Sequence, residues 1–389
     1  MKVKVDIIRA SYVSIIIGYI LTLTTIPQGD VIGSAFTSIG LILALYKILF
    51  LNHYKIKQYF LLTIVGILFF VSAYRTRNYQ FAITFIFILS ATRMSIDKLI
   101  AIDLKVRVPL IFLVCALGYS GVILNRLDYD IRGLGLDRQA LGFTHPNNLG
   151  AMMMVITIYL FYKKHKNFGV QDYLFLLFAD YICWSVAVSR TSSIIITGVI
   201  LVECLDSIVS FFVKGMLLQK IKHIAINIAG LLTLVIPLES IYLGMNYSTT
   251  PFYIALDSLF SSRFYLMHTA FKNNGITLLG QYIKVIPWTS NVIAEETNVV
   301  DNLYGYILIN FGAIFFTVVI LTLVISYIYA SKKDERKICL CILFFIIAGF
   351  CENKMLYIGT NIFTLYIAVA LYQSCLLYTS PSPRDGATS

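Results

Sequence analysis

One set of loops in this chain takes its positive charge from arginine, the opposite set mainly from lysine. Arg75, Arg77, Arg126, Arg132, Arg138, Arg190 and Arg263 belong to the first set. Lys55, Lys57, Lys98, Lys105, Lys163, Lys164, Lys166, Lys214, Lys220, Lys222, Lys332, Lys333 and Lys337 belong to the second, with a few arginines among them. Lysine is a mobile point charge, sufficient to hold a loop in the cytoplasm. Arginine presents a planar fork that grips phosphate through two parallel hydrogen bonds. Guanidinium groups gathered on the outer face therefore point to a phosphate-bearing ligand on that side.

Five short segments place other reactive types near these arginines. Arg138 to Gly150 reads RQALGFTHPNNLG. Pro146 removes a backbone donor and fixes a turn, Asn147 and Asn148 suit the cap of the helix that follows, and Arg138 and His145 sit at the same mouth. The blander account is a capped helix start with a snorkelling arginine. Ser189 to Ser193 reads SRTSS, with Arg190 at the outer end of a span, free for a ligand or paired with a carboxylate. Ser261 to His268 reads SSRFYLMH, so Arg263 and His268 share one helix, and a lipid headgroup is an alternative partner for Arg263. Asp301 opens DNLY just before a long span. A carboxylate there caps a helix, and beside arginines and a lipid phosphate it also accepts a hydroxyl proton. Glu352 and Asn353 lie in CENK, where they could hold an arginine or a sugar hydroxyl, or form a solvated turn.

The elements that position these residues are transmembrane helices. The 389 residues are 58% hydrophobic and 13% charged. Mean hydropathy is +0.80. Apolar runs of roughly 20 residues cross a bilayer, and inside lipid such runs must be helical. The expected class is an all-α polytopic membrane protein with spans near 8–27, 31–51, 59–74, 79–92, 107–124, 147–162, 171–188, 193–213, 223–243, 303–330, 338–350 and 355–378. Loop charges predict about twelve crossings with both termini cytoplasmic. On that topology Arg93 to Arg107 is a cytoplasmic segment, and two long outer loops, 125–148 and 246–302, carry the chemistry. The net charge of +11 sits mostly in short inner loops and does not argue for nucleic acid.

Phe252, Leu256, Leu259, Phe260, Leu266, Met267, Ala270 and Phe271 recur at helical spacing in the second outer loop. They predict a helix that lies along the interface or packs on the other spans. Asp180, Glu203 and Asp206 fall within spans, as proton carriers or as members of pairs, and Asp206 moves to the inner interface if its span shifts register. Cys115, Cys183, Cys204, Cys339, Cys341, Cys351 and Cys375 read as small apolar residues, and no metal site is expected. The first apolar run, from Ile8, has no small-residue cleavage site after it and is expected to remain uncleaved. Residues 380–389, SPSPRDGATS, change composition abruptly and read as a non-native tail, leaving 1–379 as a single membrane domain.

GFTHPNNLG, SRTSS, SSRFYLMHTAFKNNGITLLGQ, DNLYGYILINFG and ENKMLYIGTNIF follow one another in this chain. In that order they resemble bacterial polysaccharide polymerases of the Wzy type, which are related to the O-antigen ligases. The likeness spans Arg138 to Phe363. It implies a GT-C-like membrane glycosyltransferase of the bacterial cytoplasmic membrane, acting on the outer face without nucleotide sugar, metal or other cofactor. Such an enzyme takes a saccharide from undecaprenyl diphosphate and transfers it to a hydroxyl on a second lipid-linked repeat unit, making capsule, exopolysaccharide or O-antigen. The likeness also implies membrane lipids, a chain-length regulator and a flippase as partners. Arg138, Arg190 and Arg263 carry over as the family's arginines. The ligases usually have histidine where this chain has Asp301, which favours polymerase over ligase and argues against a histidine base.

The expected mechanism has Arg190 and Arg263 hold the donor diphosphate with help from Arg138, while Asp301 takes the acceptor proton and direct attack inverts the anomeric centre. His145, Asn147, His268, Glu352 and Asn353 are expected to bind substrate. The alternatives are a ligase-like transferase with another acceptor, and a lipid-saccharide flippase or transporter.

Overall fold

The computed structural model describes residues 2–52, 54, 56–91, 94–128, 137–286 and 297–370. Arg93, Arg132, Cys375 and the 380–389 tail lie outside them. Nine helices occupy the first nine apolar runs: α1 (Lys2–Thr22), α2 (Gly29–Tyr46), α3 (Ile56–Thr76), α4 (Gln80–Ser90), α5 (Ile96–Tyr119), α6 (Pro146–Lys164), α7 (Val170–Tyr181), α8 (Arg190–Phe212) and α9 (Gly215–Met245). α10 (Pro251–Leu259) and α11 (Arg263–Asn274) follow, then α12 (Leu303–Tyr306), α13 (Ala313–Lys332) and α14 (Arg336–Gly349). A two-residue ribbon, β1 (Leu127–Asp128) against β2 (Arg138–Gln139), is the sheet found among the described residues.

This is an all-α membrane protein. Five helical stretches are long and apolar enough to cross a bilayer: 29–51, 58–76, Arg190–Phe212, Gly215–Met245 and Ala313–Lys332. They leave Ile42, Leu49, Phe60, Phe211 and Leu231 exposed, an arrangement that water would penalise and hydrocarbon accepts. α6 differs, because Met152, Met153, Met154, Val155 and Ile156 are buried on successive faces. A helix apolar all round belongs at the centre, and α6 is the post against which α5, α8 and α14 pack.

Three expectations about the spans change. The run 303–330 is not one helix. α12 continues as a π-helical turn, Ile307–Phe311, and stops at Gly312, whose φ is 90°. There the segment before it docks, with Gln281 N–H donating to Asn310 C=O at 2.8 Å and Ala313 N–H to Thr277 C=O at 2.9 Å. A Cβ on Gly312 would lie 2.5 Å from Gly280 N, so the two glycines permit the contact. Second, the run 355–378 does not begin as helix. The chain from Phe350 to Asn361 turns irregularly through the core, and a 3₁₀ turn starts at Ile362. Buried irregular backbone needs side-chain partners. Thr84 Oγ1 accepts from Ile358 N–H at 3.0 Å, and Tyr159 donates to Thr360 C=O at 3.1 Å while accepting from Ile362 N–H at 2.8 Å.

Third, Arg107 is not at the end of a cytoplasmic loop. It is fully buried in α5, one turn from the equally buried Asp103. Its Nε and one terminal nitrogen donate to the two Asp103 oxygens at 2.6 and 2.9 Å, and it also donates to Gly359 C=O at 2.9 Å. Tyr12 donates to Asp103 at 2.7 Å. The pair thus ties α1 and α5 to the irregular segment.

The apolar spacing within 252–271 gives a helix of each expected kind. α10 exposes Phe252, Ile254 and Leu259, as an interfacial helix would. α11 buries Phe264, Leu266, Met267 and Ala270 against the bundle. Between them Ser261 and Ser262 take left-handed φ values of 54° and 61°, which separates the two faces. The intramembrane carboxylates are paired. Ser193 donates to Asp180, Glu203 bonds the His165 ring, and Asp206 meets Lys222 at 2.5 Å near the turn between α8 and α9.

Candidate functional site

Arg138, Arg190 and Arg263 each begin an element. Arg138 opens β2, opposite Asp128 in the ribbon. Its guanidinium donates to Asn147 Oδ1 and to Ala187 C=O (3.2 Å), and lies 3.4 Å from Asp128. The ribbon therefore hangs from the start of α6 and from Ala187, just past the π-helical turn Ile182–Val186 that follows α7. His145, rather than Asn147 or Asn148, caps α6: its Nδ1 accepts from Asn147 N–H at 3.0 Å, with Pro146 at the first helical position. Burial and the adjacent Arg138 guanidinium push the His145 imidazole below its ordinary value. Asn148 bonds Thr144 and accepts from Lys354 at 3.4 Å.

Arg190 is the first residue of α8. The chain reaches it through Val188 at φ 45°, with Ser189 N–H bonded to Cys183 C=O at 2.8 Å. Gly150 makes room, since a Cβ there would sit 2.5 Å from Ser189 Cβ. Among the described residues Arg190 has no ion pair and no hydrogen-bond partner. The pairing with a carboxylate that its position suggested is absent there.

Arg263 is the first residue of α11 and is buried. Its Nε donates to Cys351 C=O at 2.7 Å, and its terminal nitrogens lie 3.7 Å from Asp301 and 3.5 Å from Glu352. The two carboxylates differ. Asp301 has a side chain 37% exposed, whereas that of Glu352 is 14% exposed. Burial pushes the Glu352 carboxyl up to about 7, with Arg263 opposing and Asp301 adding to the rise. Lys354, on the same turn, is lowered by burial. Asp301 does not cap the helix after it; Asn302 does, accepting from Tyr304 and Gly305 N–H at 3.0 and 2.9 Å.

Arg190, Arg263, Glu352 and Asn147 border one cavity of about 210 Å³. Ser189, Thr191 and Ser261 add hydroxyl-bearing residues, and most of the remaining wall is apolar, with Ile194, Ile236, Leu259 and Ile347 from α8, α9, α10 and α14. Ile194 and Leu259 are exposed, so the slot opens toward the lipid-facing side. No protein-family model, curated protein or solved structure matches this chain. The site therefore has to be read from its own geometry.

That geometry is a charged head on an apolar slot. Guanidinium forks from two distant stretches, Arg190 and Arg263, border one small volume beside the Glu352 carboxyl, and Arg138 reaches its edge through Asn147. Such a head can bind a diphosphate and exchange a proton. Two expected substrate residues stand elsewhere. His268 turns the other way on α11, with its Nδ1 3.1 Å from Gly244 C=O and its ring beside Tyr247. Asn353 donates to Val300 C=O at 2.8 Å and so holds the Glu352 turn to the segment before α12.

Among the described residues, the other arginines of the arginine-bearing loops are clamps. Arg75 donates to Gly280 C=O at 2.8 Å, Arg77 lies over the Tyr282 ring, and Arg126 donates to Thr144 C=O at 2.9 Å. Sequence reasoning missed Lys354 and Asp128, though each sits in a segment it had singled out. A larger cavity of about 510 Å³ lies at the opposite, lysine-rich end, where Asp97 and Glu335 mix with Lys166, Arg336 and Lys337. Charges of both signs there leave no net cationic cradle. Among the described residues no group of three or more His, Cys, Asp or Glu side chains is gathered to hold a metal ion.

Proposed function

We propose that this protein is a membrane glycosyltransferase that polymerises undecaprenyl-diphosphate-linked oligosaccharide repeat units on the outer face of the bacterial cytoplasmic membrane. One observation carries the reading: Arg190, free of any partner among the described residues, and the buried Arg263 border the mouth of an apolar slot, with Arg138 on the adjoining ribbon. A polyprenyl diphosphate has this polarity pattern, an anionic head on an apolar chain. The finer topology belongs to the same proposal: about twelve crossings, a GT-C-like bundle, and both termini cytoplasmic, as the inner lysines favour.

In this scheme the leaving group is a lipid diphosphate. Negative charge grows on its oxygens as the glycosidic bond breaks, and preorganised guanidinium groups stabilise that charge. Asn147 orients Arg138, and His145 caps the helix that carries Asn147. The acceptor hydroxyl attacks directly, inverting the anomeric centre, and one of the two carboxylates flanking Arg263 takes its proton. The bundle's internal carboxylates Asp180, Glu203 and Asp206 are each engaged with side-chain partners, so these three do not form an unpaired set along a transport path.

Mass spectrometry of lipid-linked saccharides provides the test. Cells carrying Arg190→Ala or Arg263→Ala at normal expression should accumulate single repeat units on the outer face and make little long polymer, because losing one such donor costs about 10²–10³ in rate. Full polymer synthesis by both variants would refute the assignment. Long lipid-linked polymer that never reaches an acceptor would mean a ligase, and single units held on the inner face would mean a flippase.

A further inference from the structure

We infer that Glu352, rather than Asp301, is the group that removes the proton from the acceptor hydroxyl, while Asp301 holds Arg263 from the solvent side. The inference rests on the transferase reading and assigns roles within it.

Placement separates the two carboxylates. Both flank Arg263, at 3.5 Å for Glu352 and 3.7 Å for Asp301. Only Glu352 lies on the wall of the slot, together with Arg190 and Arg263. A hydroxyl brought to the anomeric carbon of a donor whose diphosphate sits between those two arginines meets Glu352 first. Asp301 stands outside that wall and is more than a third exposed, where water competes for its oxygens.

Support also comes from how the Glu352 turn is held. Its backbone N–H donates to Ala348 C=O at 3.0 Å, a continuation of the α14 ladder, and the next residue, Asn353, is tied to Val300. Cys351 C=O, just before it, is the acceptor for Arg263 Nε. The turn that carries the carboxyl is therefore held on both sides of Glu352, beside the guanidinium, and this positions a proton acceptor. The charged groups facing it are Arg263 from α11, Asp301 ahead of α12, Lys354 on its own turn and Arg138 on β2. Burial outweighs the cations and leaves the group near 7, where it is a competent base yet releases its proton between turnovers.

The step balances. The acceptor oxygen forms a bond to the anomeric carbon as its proton passes to a Glu352 oxygen. The bond from that carbon to the diphosphate oxygen breaks, its electron pair leaving on the lipid diphosphate. Glu352 then returns the proton to water.

The full-length enzyme in nanodiscs, supplied with lipid-diphosphate-linked repeat units, provides the test through the pH dependence of turnover. Wild type should lengthen the saccharide, with kcat/KM rising through about pH 7 as the base of the free enzyme ionises. Glu352→Gln, which keeps the shape and can still bond Arg263, should lower kcat about 10²–10⁴-fold with little change in donor KM and abolish that rise. Glu352→Ala with azide, a nucleophile that needs no base, should form the inverted glycosyl azide, which also shows that the variant is folded. Asp301→Asn should raise donor KM and keep the rise with pH. If Asp301→Asn loses the rise and Glu352→Gln keeps it, Asp301 is the base and the transferase reading survives. If wild type transfers no saccharide at any pH, both readings fall.

Discussion

Arginine does three kinds of work in this chain. Arg75, Arg77 and Arg126 clamp loops through carbonyls and a ring. Arg138, Arg190 and Arg263 surround the candidate site. Arg107 is the third kind, buried whole against Asp103 and a carbonyl of the irregular core segment. Breaking such a pair strands a charge. Arg107→Leu should therefore lose about 3–5 kcal/mol of stability, since Asp103 would remain buried with only Tyr12 as donor. Thermal unfolding in detergent measures this, and an unchanged midpoint would show the pair to be dispensable. Removing the exposed Asp334, which pairs with Arg336 at 2.8 Å, should shift the midpoint little. Residue types announced the arginine-rich face, but the division into clamps and ligand groups was not legible, because it depends on what each fork meets across the fold. The exchange of caps is similar: Asp301 and Asn302 are equally plausible by type, and only the direction of the chain into α12 makes Asn302 the cap.

Short irregular pieces do more than the long helices to shape the site. Gly312 and Gly280 let the segment after α11 lie against the π turn that follows α12. A methyl group at Gly312 meets backbone at 2.5 Å in a left-handed conformation that L residues avoid, so it must displace main chain rather than a side-chain tip. Gly312→Ala should cost about 1–3 kcal/mol, read as a lowered unfolding midpoint and weaker polymer synthesis; an unaffected midpoint would mean the docking is loose. α10 belongs to the same scale. Its exposed Leu259 lines the slot, and Phe252 and Ile254 are exposed on the same helix. A photoactivatable polyprenyl probe should cross-link near Phe260, and labelling confined to other faces would rule out lateral entry there. Apolar spacing pointed to a helix in this region. It did not reveal the break at Ser261 and Ser262, because left-handed serines carry no compositional mark.

For the whole molecule, the bilayer is the partner that makes the composition reasonable. Large apolar side chains cover the outside of α2, α3, α8 and α9, while the inside holds charge pairs and tyrosine hydroxyls that satisfy irregular backbone. The two ends differ chemically, with arginines and a lipid-facing slot at one and lysines around a mixed cavity at the other. Orientation follows if lysine marks the cytoplasm. Single cysteines placed at the exposed positions Asn246 and Lys333, in a background without the native thiols, should react with an impermeant maleimide from outside only at Asn246. Labelling at Lys333 instead would invert the topology and move the site to the cytoplasm.

Hydropathy was enough to make this chain a helical membrane protein and to locate nearly every helix, because crossing a bilayer demands long apolar runs whatever the fold. It misplaced Arg107 in a loop and made 355–361 helical, because a buried charge or an irregular core segment is tolerable only where a distant partner satisfies it, and such partners are invisible along the chain. Motif order named Arg138, Arg190, Arg263, Asp301 and Glu352 individually. Tertiary structure alone decided that Glu352 faces the slot, that His268 turns away, and that Lys354 and Asp128 join the cluster. Helical periodicity fixes how side chains on one helix relate to each other; it says nothing of which face meets which neighbour, and a site assembled from five separate segments depends on that second relation.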